Sequence, residues 1–163
     1  MSETASTSTI NLVLESVMDL IDALNLYDSV SRGALGTGPD LCCELSPSMP
    51  DELYMNKAIR VSLDLTINGK HSNLQTLSDD LNTLHHSLTS RTEYPYGTGW
   101  KVVDIRSGTL PQVIGREENN EWIMASDLLI VVYLDAYSPP EPPPTPDPVP
   151  DPTPEEPAEE NNE

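Results

Sequence analysis

Arg116-Glu117-Glu118-Asn119-Asn120 sets a guanidinium, two carboxylates and two amides in five consecutive positions, just ahead of Trp122 and a mostly apolar run that ends at Leu134. Paired acids beside an arginine suit general acid–base work, metal binding or recognition of a charged partner. Each chemistry needs more than these residues. A metal would need a third acid or a His at chelating spacing, and Gly115–Asn120 offers neither. The plainest reading is a solvated turn feeding a strand. Second comes a docking surface made of Arg116, Glu117, Glu118 and Trp122, because interfaces favour a large aromatic beside Arg at their centres. Catalysis is third.

The other reactive residue types are sparse. His85-His86 falls on a helical pattern, where side chains at i and i+1 point about 100° apart and cannot chelate together. His85 therefore reads as a boundary residue next to Leu84 and Leu88, and Asp79-Asp80 as a solvated helix face. The only cysteines, Cys42 and Cys43, are adjacent, so they are poorly placed to bridge each other and lack further ligands for zinc. No Walker loop, dinucleotide GxGxxG, HExxH or CxxC occurs, and no Ser/His/acid set lies in a recognisable motif. Catalytic, cofactor and metal residues are all read as none, and the chain as not an enzyme.

Charge narrows the partners. The 163-residue chain carries a net charge of −19. The stretch Ser138–Glu163 holds 11 of the 16 prolines and 8 of the 27 acids without a single Lys or Arg, which leaves 19 acids against 8 bases, a net −11, on residues 1–137. That field opposes tight binding to a nucleic-acid backbone. Three segments are expected: a flexible N-terminus over 1–9, a domain over 10–137 with one core, and a proline-rich acidic arm over 138–163, extended or disordered. No apolar run approaches the roughly 20 residues needed to cross a bilayer. Met1–Thr9 has no basic residue before an apolar stretch, which is not the pattern of a secretory signal. A reduced cytoplasmic origin is expected.

These side chains must be positioned by a few periodic elements. Ile10, Val13, Leu14, Val17, Leu20, Ile21 and Leu24 recur at helical spacing, with Thr9 or Ser8 as the expected N-cap. A glycine-rich linker over 33–39 precedes a short apolar piece, Leu41–Leu45, that reads as a strand cut off by Pro47 and Pro50. Over Ala58–Asn68, Ile59, Val61, Leu63, Leu65 and Ile67 alternate with polar residues, predicting a strand that ends in an Asn68-Gly69 turn. Leu74, Leu77, Leu81, Leu84 and Leu88 predict a second helix over about Ser72–Ser90. Arg91–Gly99 reads as a turn. Trp100–Arg106 and Glu121–Asp135 read as strands joined by a loop around Pro111 and Gly115. The fold class is α+β, two helices on a small, largely antiparallel sheet.

Three stretches carry a resemblance: "NGKHSNLQTLSDDLNTLHHSLTS", "YPYGTGWKVVDI" and "PQVIGREENNEWIMASDLLIVVYL". Over Ile10–Asp135 the chain resembles the minor capsid proteins of long-tailed phages and prophages, a family similar to the tail terminators. The marks are Asn68-Gly69-Lys70, Trp100 and Ile114–Trp122, and the arm from Ser138 is foreign to the family core. The resemblance implies a structural virion protein at the head–tail junction, assembled as a ring of commonly about six copies. Such a ring caps the head-proximal end of the tail tube, with the major tail protein on one side and a head-completion or connector protein on the other. Genome DNA passes without being held, and no cofactor, reaction or membrane is involved. The alternatives are a monomeric head–tail adaptor that recruits partners through its proline-rich arm and, further off, a small enzyme with scattered catalytic residues.

Overall fold

The structure, a computed structural model, describes residues 3–135. The arm expected over 138–163 lies outside them. In chain order the elements are α1 (Glu3–Asp22), β1 (Val30–Arg32), β2 (Asp40–Leu53), β3 (Ile59–His71), α2 (Leu74–Thr89), β4 (Tyr96–Gly97), β5 (Trp100–Arg116) and β6 (Trp122–Leu134). The strands form one six-stranded sheet in the order β1-β2-β3-β6-β5-β4. Every neighbouring pair is antiparallel except β1–β2. The α+β class and the antiparallel character hold, but the sheet is larger than the small one expected.

The alternation in β3 decides which face is covered. Val61, Leu63, Leu65 and Ile67 are buried, while Arg60, Ser62, Asp64 and Thr66 stay at least partly exposed. In β6 the buried partners are Met124, Leu128, Ile130 and Val132, registered against β3 through Leu65↔Leu128 and Val61↔Val132. Both helices contribute to the same cluster: Val13, Leu14, Val17 and Ile21 from α1, and Leu77, Leu81, Leu84 and Leu88 from α2. The α2 stripe is fully buried, and Asn73 caps the helix by accepting hydrogen bonds from the N–H groups of Gln75 (2.9 Å) and Thr76 (3.3 Å).

Four boundaries differ from expectation. Helix α1 begins at Glu3, so Thr9 and Ser8 lie inside it and the supposed flexible N-terminus is mostly helix. No Gly or Pro interrupts that stretch. Strand β2 runs past Pro47 and Pro50 to Leu53, because an edge strand tolerates prolines when its register shifts around them. β5 continues through Pro111 to Arg116 for the same reason, with four register shifts. The expected loop around Pro111 and Gly115 is therefore strand, and the true hairpin turn lies at 117–121.

Asn68-Gly69 is no turn at all. It sits inside the β2–β3 and β3–β6 ladders, and Gly69 is there for space: an added Cβ would lie 2.8 Å from both Leu77 Cδ1 and the Tyr27 hydroxyl. The loop that carries the chain from β1 to its parallel neighbour β2 uses Gly33 and Gly38, at φ values of 101° and 78°.

Candidate functional site

The expected cluster divides between two tasks. Arg116, the last residue of β5, pairs with Trp122, the first of β6, and its guanidinium carbon lies 4.7 Å from the centre of the indole ring. Between them runs a tight hairpin. The Glu117 N–H donates to the Glu121 carbonyl (2.8 Å), the Asn120 N–H donates to the Glu117 carbonyl (3.0 Å), and Asn120 takes the left-handed position at φ 69°. Asparagine tolerates that conformation better than most residues. Arg116, Glu117, Glu118 and Asn119 line an open depression of about 500 Å³ on this turn.

Glu117 turns inward to Lys70, which carried a family resemblance in the sequence but no expected site role. Lys70 is 2% exposed, and its Nζ stands 3.4 Å from the Glu117 carboxylate and 3.8 Å from that of Glu121. The same ammonium donates to the carbonyl of Gly36. Glu121 is also buried, and Asn119 holds it from both sides: its amide donates to Oε2 (2.7 Å) and its Oδ1 accepts the Glu121 N–H (3.2 Å). One buried cation thus ties the glycine linker to the tip of the β5–β6 hairpin. A buried charge is tolerated only when paired and hydrogen-bonded, and Lys70 is both.

Tyr27 completes this end of the sheet. Its hydroxyl donates to the Asp40 carbonyl (2.6 Å) and accepts the Lys70 N–H (3.2 Å), and its ring meets His71 edge-on at 5.1 Å. Burial, the largest cause, drives the Tyr27 phenol far above its ordinary value, so it is always neutral here. Lys70 carried a readable signal, being a charged residue one step beyond the apolar alternation of β3. Its partners were not readable, because Gly36, Glu117 and Glu121 converge only through pairing between distant strands.

The remaining candidates take structural places. His85 is buried, with Nε2 and the Ser107 Oγ hydrogen-bonded at 2.8 Å and Nδ1 unpartnered; desolvation pulls its pKa below the ordinary value. His86 is exposed on the other side of the helix. Cys42 and Cys43 are buried and free, and burial pushes the Cys43 thiol up to about 11, so both remain protonated. Among the described residues no group of three or more His, Cys, Asp or Glu is placed to hold a metal, and no helix is long and apolar enough to cross a membrane.

No protein-family model matches this chain, and no curated protein matches it significantly.

Proposed function

We propose that the chain is a structural ring protein of a phage particle, the terminator that caps the tail tube and meets the head connector. One observation supports a ring most directly: the sheet is open, and its two free edges differ in sign. On one side, among the described residues, β5 beyond Val103 has no strand outside it, and it exposes Leu110, Val113 and Ile114 between Arg106 and Arg116. Beyond Val103, β5 carries two bases, Arg106 and Arg116, against one acid, Asp104, which Arg106 meets at 2.6 Å. On the opposite side, among the described residues, β2 beyond Cys43 is unpaired outward and carries three acids, Glu44, Asp51 and Glu52, with no base.

Unlike surfaces on opposite sides of one molecule associate head to tail, and such contacts close into rings when the rotation permits. Pro47, Pro50 and Pro111 remove ladder donors from both edges, so side chains rather than a continuous sheet would carry the contact. Arg116 and Trp122 lie at the end of the cationic edge, where the docking role expected for the cluster would operate. Glu118, exposed on the same turn, is available to a partner, whereas Glu117 is already engaged by Lys70.

Electron microscopy of particles from a phage lacking this gene tests the reading. Overlong tubes and unjoined heads are expected, and normal tails would sink it. Light scattering separates it from the monomeric adaptor, since a ring of about six copies runs near six times the 17.9 kDa chain mass.

A further inference from the structure

At the end of the sheet opposite Lys70, the pairing register lays one row of side chains across the uncovered face. Tyr96 stands against Lys101, Lys101 against Tyr133, and Tyr133 against Arg60. Tyr54, from the β2–β3 turn, packs on Tyr133 with ring centres 5.7 Å apart. Tyr96, Gly97, Trp100, Lys101, Tyr133 and Asp135 line an open cleft of about 400 Å³. Gly97 is required there, because a Cβ would strike the Trp100 indole at 2.5 Å. Tyr96 is 78% exposed although it is a large aromatic at the cleft mouth. The cations are under-used: Arg60 meets Glu52 only at 3.8 Å, and its Nε is buried without a hydrogen-bond partner.

The chain also leaves the fold at this spot. The Asp135 N–H donates to the Gly99 carbonyl (2.9 Å), which fixes the end of β6 on the cleft rim. Prolines then begin at 139 and 140, and the stretch to 157 interleaves eleven of them with acids including Glu141, Asp147 and Asp151. Proline-rich segments are recognised by grooves of Tyr and Trp rings, on which the preformed helix of three residues per turn packs at little entropic cost. The rings and the cations therefore lie where the described residues end and the acidic proline segment follows in sequence.

We propose that this aromatic cleft is a proline-recognition site whose occupant is the chain's own arm, folded back from Asp135. In this arrangement prolines 139–144 would pack on Tyr96 and Tyr133, and the acids Glu141 and Asp147 would reach Lys101 and Arg60, while Trp100, 6% exposed, forms the cleft floor. The single acid lining the cleft is Asp135, where the described residues end, and Glu52 meets Arg60 beside it at 3.8 Å. A tether of about four residues, spanning up to ~12 Å at ~3.1 Å per residue, keeps the arm at high effective concentration and favours its own cleft over a neighbour's. The inference does not depend on the ring.

Zero-length carbodiimide cross-linking of the full chain tests it, using an equal mixture of normal and 15N-labelled protein read by mass spectrometry. Lys101 should join Glu141 or Asp147 within chains of a single isotope. Tyr96→Ala should lower that yield about two- to tenfold, the loss expected for one aromatic contact. Replacing prolines 139, 140, 142, 143 and 144 by serine should lower it as far, while links from Lys57 in the β2–β3 turn stay constant. Absence of a Lys101–arm link, or a yield indifferent to Tyr96→Ala, would overturn the proposal. Links between unlike isotopes would overturn it too, and would assign the cleft to the arm of a second copy.

Discussion

Lys70 shows how a single residue can redirect the meaning of its neighbours. The carboxylates of 117 and 121 read in sequence as surface charge, yet both face an ammonium that is 2% exposed. Lys70→Ala should cost about 3 kcal/mol in denaturant unfolding, at the low end for breaking a buried pair because Glu117 remains half in water. A loss below about 0.5 kcal/mol, typical of a surface site, would show that the cluster holds nothing together. Arg116→Glu should behave oppositely. It loses an exposed stacking contact of about 0.5–1 kcal/mol and keeps the fold, while assembly, followed by light scattering, should fail because the cationic edge loses its terminal charge. An unaltered assembly state would leave Arg116 as no more than a turn residue. His85 adds a pH dependence whose sign can be worked out. Its folded pKa is lowered by burial, so below about 6.5 the unfolded chain binds more protons than the native one. Stability from this group is therefore full above that pH and declines as the pH falls from it toward the folded value. His85→Gln should flatten the decline between neutral and mildly acidic pH in chemical denaturation. A slope as steep as before would assign the decline to other groups.

Elements were legible where a period was uninterrupted, and illegible where pairing overrode local signals. Leu77, Leu81, Leu84 and Leu88 announced α2, and all four are fully buried. Leu81→Ala should accordingly cost ~2–5 kcal/mol; a loss under 0.5 kcal/mol in urea or guanidinium unfolding would mean the stripe is not packed on the sheet. β3 was equally plain from its alternation. In β2 and β5, by contrast, Pro47, Pro50 and Pro111 marked loops, and only the neighbouring ladders show that edge strands absorb them through register shifts. Asn68-Gly69 misled for a different reason. Local chemistry favours a turn there, but Leu77 and Tyr27 press on Gly69 from across the core. Gly69→Ala should destabilise by ~1–3 kcal/mol, the usual penalty for overpacking. A turn at this position would accept alanine with little change in unfolding midpoint. The β5–β6 hairpin was placed near the right residues, since a solvated connection was expected over Gly115–Asn120 and the turn begins after Arg116, but the buried ion pairs beneath it were not visible from one strand's pattern.

For the whole molecule, the informative quantity is the placement of charge and not only its sum. The chain carries −19, and residues 1–137 carry −11, yet β5 has a surplus of bases and β2 has none. A ring built by joining those two edges uses cations at its subunit contacts, leaving an excess of acid over the rest of its surface. Two salt responses follow, and they point in different directions. Assembly through opposite edges should weaken between low and physiological salt, because exposed charges beyond about 8–10 Å are screened there. Duplex DNA, in contrast, should find no array of cations whose binding releases its counterions. A channel lined by such a surface lets a polyanion pass without holding it, which is what a genome path through a tail-capping ring requires. Purified protein titrated with duplex DNA at physiological ionic strength should therefore show no salt-sensitive binding. Micromolar binding that falls steeply as salt rises would mean that Arg106 and Arg116 face the nucleic acid and not a neighbouring subunit, and the proposed edge contact would then have to be abandoned along with the passive channel.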